Sequence, residues 1–369
     1  MYWKSSSECL PQVYLRGGGT LDEMAQKWGI TAKRHGRYPD LVQLKYSMID
    51  SPFAEPIVRQ CRGIILDEKQ NWRVIASPFH KFFNHGEALA ASIDWADCHV
   101  QEKLDGSMMM LYHYNDEWLV ASSGMPDAAG DAVPASLGMA SISFAQLFWM
   151  AFNEKGFTLP YSSQKAFTFM FELMTPYNRI VVKYPKPDLK LIGVRNIWTG
   201  CELPPHIYSN YDPVRRFPLK SIDDVLSTFN VMNPLEQEGY VIVDRNYNRV
   251  KVKHPGYIAL HHLRGNGSLN SRRVVELVRM GEKDEVLSAF PEWSDVFNKA
   301  SECYDELVSQ VTDDYQHLRG ITSQKEFAIE AVKTRCAGCL FALRNSKVNT
   351  VREYMEKLHI DQLVSMLGV

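Results

Sequence analysis

The sequence is short of several things, and each shortage narrows what it can be. It has no run of ~18 apolar residues, so no membrane-spanning helix is expected. Net charge is almost absent: 41 Lys and Arg stand against 43 Asp and Glu, a balance of −2. That excludes a wholly basic nucleic-acid coat protein but permits a local basic groove. Cysteine is sparse and odd in number, seven in 369 residues, so reduced thiols are expected rather than a disulfide frame. Cys336 and Cys339 have the spacing of half a zinc site, but there is no second such pair and the segment reads as helix. They are read as buried helix cysteines. Internal repeats and low-complexity tracts are missing. The start, Met1-Tyr2-Trp3-Lys4-Ser5, lacks a secretory leader pattern. The expectation is an intracellular, cytoplasmic chain, monomeric and free of membrane. Its hydrophobic share of 45% suffices for a packed core, and its length suggests two domains.

The most informative stretch is Lys103-Leu104-Asp105-Gly106-Ser107. It follows Cys98-His99-Val100-Gln101-Glu102 and precedes Met108-Met109-Met110-Leu111-Tyr112, which reads as a buried strand. A lysine between two strands, with a carboxylate and a glycine close behind, can serve as an amine nucleophile. A free lysine has a pKa near ~10.4 and is protonated at neutral pH. An attacking amine therefore needs desolvation or neighbouring positive charge, and the phosphate it attacks needs cations to neutralise it. Further basic residues and metal-binding carboxylates must converge on the same place.

The chain supplies them in order. Cys61-Arg62-Gly63-Ile64-Ile65-Leu66 leads into a strand, and Pro78-Phe79-His80-Lys81-Phe82-Phe83-Asn84 follows. Downstream lie Phe169-Met170-Phe171-Glu172-Leu173, Pro176-Tyr177-Asn178-Arg179-Ile180-Val181, Glu238-Gly239-Tyr240-Val241-Ile242-Val243 and Val250-Lys251-Val252-Lys253-His254. Taken singly, each reads as a strand with one polar edge. Lys251 and Lys253 are two apart on a strand, so both leave the same face, where an anion would relieve their repulsion. Asp244-Arg245-Asn246-Tyr247-Asn248 reads as the hairpin turn joining the last two strands.

Together these segments resemble the covalent nucleotidyltransferases, and specifically the ATP-dependent RNA ligase 1 family known from bacteriophage, over about Arg62 to His262. Ser107 is similar to the RNA ligases rather than to DNA ligases or capping enzymes. The resemblance implies an α+β fold: an antiparallel-sheet nucleotidyltransferase domain over 1–267, with a mixed segment 1–50, followed by an all-α C-terminal domain over 268–369. It implies that Lys103 forms a lysyl-adenylate from ATP. Glu102 would lie beside the adenine, Gly106 within the nucleotide-binding turn and Val241 on the adenine face. Asp105 and Glu172 would organise ribose, lysine and metal. Arg62 and Lys81, with the aromatic Phe83, would meet phosphates and ribose. Glu238 would hold metal, with Glu172 and Asp105, and Lys251 and Lys253 would bind phosphate. Magnesium, or manganese in its place, would assist. The partners implied are RNA ends carrying a 5′-phosphate and a 3′-hydroxyl, with a broken tRNA loop as one candidate. AMP would pass from the lysine to the 5′-phosphate and leave when the 3′-hydroxyl attacks. One departure stands out: Ser123 occupies a position where family members often carry a basic residue. The alternatives are a DNA ligase or guanylyltransferase on the same core, and a non-catalytic RNA-binding protein that has kept the pocket.

Elsewhere the patterns are structural. Gly124 to Gly138 reads as a mobile loop. A helix is expected over Ala140 to Asn153, with Phe144, Leu147, Phe148 and Ala151 on one face. After Gly267 the strand pattern stops. A long helix from Pro291 to Leu318 would align Val296, Phe297, Ala300, Tyr304, Leu307, Val311 and Tyr315. Ser323-x-x-Glu326 and Thr350-x-x-Glu353 read as capping boxes of further helices.

Overall fold

Short apolar runs separated by turn residues become the strands of the first part of the chain. The computed structural model describes residues 8–133, 141–177, 180–263, 271–289 and 291–368. It divides the chain into two units, Met1–Ser47 with Ser51–His261, and Met48–Asp50 with His262–Val369. The first is α+β and its sheets are antiparallel apart from short pairings; the second is helical.

In the first unit, β1 (Ile30–Arg34), β2 (Leu41–Tyr46), β3 (Arg62–Asp67) and β4 (Arg73–Ala76) form one sheet in sequence order. The strands β5 (Phe83–Asn84), β6 (Cys98–Lys103), β7 (Ser107–Tyr114) and β8 (Glu117–Ser122) follow, then the small pair β9 (Asp131–Val133) and β10 (Ile142–Ser143). The chain continues with β11 (Phe167–Met174), β12 (Asp188–Asn196), β13 (Glu202–Leu203), β14 (Arg216–Phe217), β15 (Gly239–Asp244) and β16 (Arg249–Lys253). Two five-stranded sheets result, ordered β13-β12-β11-β7-β8 and β14-β6-β15-β16-β5. The β7–β8 hairpin closes on Asn115-Asp116, both at positive φ, the geometry that matches strand twist in a two-residue turn. Asp244 builds the last hairpin by accepting from the N–H groups of Asn246 and Asn248.

Strand β7 is buried on both faces, which is why its sequence is a nearly continuous apolar run. Met109 and Leu111 join Phe169 and Phe171 under the helix Phe144–Glu154, whose Leu147, Phe148, Ala151 and Phe152 cover them. Met108, Met110 and Tyr112 pack on the other side against Ile65, Ile75 and Ala76 of the first sheet. The covering helix begins four residues later than the apolar pattern suggests, because Ser143 and Gln146 cap its first turn reciprocally. Of the expected mobile loop, the part before residue 134 is packed. Ala128 and Ala132 are buried, and Tyr112 Oη donates to Pro126 O. Residues 134–140 lie outside the described residues.

The helical unit is organised by Ser294–Leu318, which a short 3-10 turn over Pro291–Trp293 precedes. Phe297, Ala300, Tyr304, Leu307 and Val311 are buried along one face, whereas Val296 is 54% exposed and lies off the stripe. Cys336 and Cys339 are buried in the same core as free thiols. Ser323 and Thr350 each cap a helix by accepting from the backbone N–H three residues on. Among the described residues, no helix is long and apolar enough to cross a membrane.

One buried ionic cluster joins the two large sheets. Glu202 of β13 accepts from Arg195 Nη2 of β12 and from Arg249 Nη2 of β16, each at 2.5 Å. Arg195 also donates to Pro78 O, and Arg249 lies 4.0 Å over the Phe79 ring. Burial works against ionisation of Glu202, but the two guanidiniums prevail and hold its pKa below the usual carboxylate range. Removing one member of such a cluster leaves buried charge without compensation. Glu202→Ala is expected to lower unfolding free energy by about 3–5 kcal/mol; a urea midpoint close to wild type would contradict this.

Candidate active site

Strand register builds the centre of the site. Gly239, first residue of β15, is the cross-strand partner of both Lys103, last residue of β6, and Lys253, last residue of β16. Glu238, just before it, therefore lands between the two lysines. Its Oε1 is 2.7 Å from Lys103 Nζ and 3.3 Å from Lys253 Nζ, and its side chain is only 4% exposed. Gly239 has φ +148°, and an added Cβ would sit 2.2 Å from Val252 O, so no larger residue allows this approach. Alternation along the strands puts Gln101, Lys103, Val241, Lys251 and Lys253 on one face. Val100, Tyr240, Ile242, Val250 and Val252 face the core on the other. Glu102 leaves β6 on the side opposite Lys103. Burial raises its pKa, opposed by Arg215 and Lys190. Its carboxylate is not part of the lysine cluster; Gln101 is the neighbour that shares Lys103's face.

The turn after Lys103 is clamped. Asp105 Oδ2 accepts from the N–H groups of Val181 and Val182 at 2.8 and 2.7 Å, and Oδ1 accepts from Tyr257 Oη at 3.0 Å. Its own N–H donates to Tyr184 Oη. A Cβ on Gly106 would lie 2.5 Å from Leu173 O and 3.1 Å from Glu172 Cγ, so the glycine lets the turn close onto β11 beside Glu172. Burial pushes the Glu172 pKa up to about 7; Lys103 pulls it down, Glu238 pushes it up, and Arg62 and Asp105 are also in range.

Basic and aromatic side chains complete the surroundings. The Arg62 guanidinium lies 5.0 Å over the Phe82 ring, and its buried Nη1 has no hydrogen-bond partner among the described residues. The Arg62 charge opposes the burial that raises the Tyr46 pKa. The Lys81 ammonium sits in an aromatic cage, 4.3 Å from Phe53 and 5.3 Å from Tyr46 and Phe83. Phe83 is buried behind that cation, and its neighbour Phe82 presents a ring to Arg62 and, at 5.9 Å, to Lys251. Ser123 carries no charge, but Lys45 Nζ lies close to the adjoining Gly124.

Tyr257, Tyr184 and Phe53 stand outside the segments singled out in the sequence, and Phe82 and Gln101 lie within them without an assigned role. Tyr257 sits at the start of the helix Pro255–Leu263, where no spacing rule ties it to Asp105, 152 positions away. A signal existed only for Gln101, through the strand period. Asn178 and Arg179 lie outside the described residues.

A family model described as RNA ligase matches residues 60–257, more than half of the 369. The chain belongs to the RNA ligase 1 family. A protein of Autographa californica nuclear polyhedrosis virus, whose name pairs a polynucleotide kinase with an RNA ligase, is 26% identical over 94% of this chain and 51% of its own length. This chain thus spans about half the length of that relative. The RNA ligase of Rhodothermus phage RM378 is 25% identical over 80% of both chains. RNA ligase 1 of bacteriophage TS2126 is 27% identical over 52% of this chain and 49% of its own. Among solved structures, an archaeal ATP-dependent RNA ligase aligns over 92% of this chain and 81% of its own at 13% identity and a TM-score of 0.47. A Naegleria gruberi RNA ligase with ATP and Mn covers 45% of this chain and 51% of its own at 14% identity, with a TM-score of 0.32. Likenesses this loose fix no residue correspondence.

The raised pKa of Glu172 has a stability consequence. Below its ordinary pKa near 4.5 both folded and unfolded chains hold the proton, and the group is neutral to stability. Between there and about 7 the unfolded chain releases a proton that the folded chain retains, so a destabilisation grows with pH. Above about 7 it levels off, at roughly 3 kcal/mol. Glu172→Gln should therefore raise Tm at pH 8 and leave it unchanged near pH 4; an unaltered Tm at pH 8 would overturn this account.

Proposed function

We propose that the chain joins RNA ends at the expense of ATP, using Lys103 as a covalent nucleophile. The observation that carries this reading is the Lys103 amine 2.7 Å from buried Glu238, with Lys253 on the same oxygen, in a member of the RNA ligase 1 family.

The placement of the residues supports the following roles. Lys103 Nζ attacks the α-phosphorus of ATP; an N–P bond forms, the bridging P–O bond breaks and pyrophosphate leaves. The proton that the amine sheds faces Glu238 Oε1. Lys251 and Lys253, on the same strand face, hold the phosphates as mobile point charges. Arg62, whose Nη1 has no partner among the described residues, offers a further donor to the nucleotide. Asp105 holds the turn through Val181, Val182 and Tyr257 and acts by positioning, since both its oxygens are engaged. Val241 flanks the adenine from the face it shares with Lys103, with Gln101 beside it in the place expected of Glu102, and Lys81 meets ribose or phosphate.

Among the described residues no cluster of three or more His, Cys, Asp or Glu is arranged to hold a metal alone. The carboxylates of Glu172 and Glu238 suit magnesium or manganese, which take oxygen donors and complete their shell with substrate phosphates and water. Such an ion would supply positive charge at the reacting phosphate. AMP then moves from Lys103 to the RNA 5′-phosphate, and a 3′-hydroxyl displaces it. A broken tRNA loop offers both ends together, which makes it the substrate we favour.

Incubation with magnesium and α-labelled ATP, then denaturation, should leave an acid-stable label on the protein that Lys103→Ala abolishes. Label from GTP alone, or none from either nucleotide, would refute the reading. The helical unit, in this proposal, selects the RNA. Truncation after Gly267 should spare self-labelling and change which RNA ends are sealed; loss of both together would assign those helices a bracing role.

A further inference from the structure

Trp198 is the most exposed aromatic side chain among the described residues, at 81%, yet it stands on a rigid turn. Asn196 Oδ1 accepts from the N–H groups of Trp198 and Thr199, Gly200 N–H donates to Asn196 O, and Gly200 takes φ +68°. The indole is thus presented to water by a β12–β13 hairpin that is tied down on every side. Two clefts of the first unit meet at it. One, about 280 Å³, is lined by Arg73, Lys165, His113 and Asn115, with Asp116 as its acid. The other, about 330 Å³, is lined by Gln12, Ser77, Asn196 and Arg195, with Glu8 as its acid. Arg195 is 4% exposed and its Nε has no partner among the described residues.

We propose that this ridge is a stacking platform for the RNA strand whose end is joined at Lys103. The cleft walls mix apolar residues, Val74 and Ile197 in both, with the cationic Arg73 and Lys165, and that cationic pair favours a phosphate-bearing partner over a purely apolar one. A nucleobase would find a π-face flanked by amide and hydroxyl side chains, with Arg73 and Lys165 placed for its phosphates. The Lys165–Asp116 contact at 3.0 Å joins two well-exposed groups, so it yields readily to a phosphate. Aromatic stacking beside a cationic track is the usual way single strands are held without sequence preference. The fold also sets a length requirement. Lys190 of β12 is the cross-strand partner of Glu172, and Trp198 lies eight residues further along the same chain direction. At a strand rise near ~3.3 Å the platform is on the order of 20–25 Å from Glu172. Short RNA reaching only the nucleophile cannot touch it, whereas an oligonucleotide several residues longer can.

This inference rests on the RNA-joining reading, and the test separates the two. Anisotropy of fluorescent 5′-phosphorylated RNA is measured for a trinucleotide and a dodecanucleotide, with ATP self-labelling measured in parallel. In Trp198→Ala, dodecanucleotide binding should weaken about fivefold or more, with trinucleotide binding and self-labelling unchanged. Trp198→Phe should restore most of the loss. Equal dodecanucleotide affinity in wild type and Trp198→Ala, or equal losses for both lengths, overturns the platform while self-labelling upholds the nucleophile. Sedimentation showing a wild-type dimer that Trp198→Ala dissociates would assign the indole to a protein interface and also overturn it.

Discussion

The site depends on one buried carboxylate shared by two ammonium groups. Glu238 stands at 2.7 Å from Lys103 and 3.3 Å from Lys253. Taking charges out of water is costly, and close pairing offsets that cost only where geometry is good. Here the carboxylate is close to both lysines. Arg62 adds a buried nitrogen without a partner among the described residues, and Glu172, its pKa raised to about 7, is only partly ionised at neutral pH. A polyphosphate, with oxygens spaced to meet several cations, is the kind of anion such a cluster suits.

Much of the first unit serves to keep that cluster tight. Gly239 lets β15 pass close enough to β16 for Glu238 to reach both lysines. Asp105 anchors the opposite side of Lys103 to Val181, Val182 and Tyr257. The Arg195–Glu202–Arg249 cluster then fixes β16 against β12 and β13, two residues before Lys251, and holds Pro78 and Phe79 just ahead of Lys81. Fixing charges before substrate arrives is what makes them effective, since no reorganisation is needed when the reaction occurs. The ionic cluster far from the nucleophile is thus tied to the chemistry through the strand it holds.

What could be read in the sequence follows from how local each signal is. The period of two along β6, β15 and β16 made the common face of Lys251 and Lys253 legible, and the Asp244 turn located their hairpin. The apolar run after Gly106 marked β7 because strands buried on both faces show no alternation. Contacts made by the three-dimensional path were illegible. Tyr257 reaches Asp105 across 152 positions, and Glu202 reaches Arg249 across 47; no periodicity encodes either. Adjacent aromatics are also ambiguous: Phe82 stands just before the short strand that Phe83 opens, and only the packing shows that Phe83 cages Lys81 while Phe82 supports Arg62. Helix starts were misplaced where a cap overrode apolar spacing, as at Ser143.

If the chain joins RNA as proposed, its near-zero net charge constrains how that RNA is held. At −2 overall the chain has little long-range field with which to attract a polyanion. At physiological salt such fields fade over about 8 Å in any case. In the proposed function, holding RNA would then fall to short-range contacts: the lysines around Glu238, and a surface where bases find partners other than charge. A tryptophan 81% exposed on a hydrogen-bonded turn meets that need, because stacking is far less sensitive to salt than ion pairing. Under the two proposals, phosphates are bound where chemistry needs them and the strand beyond is gripped by its bases.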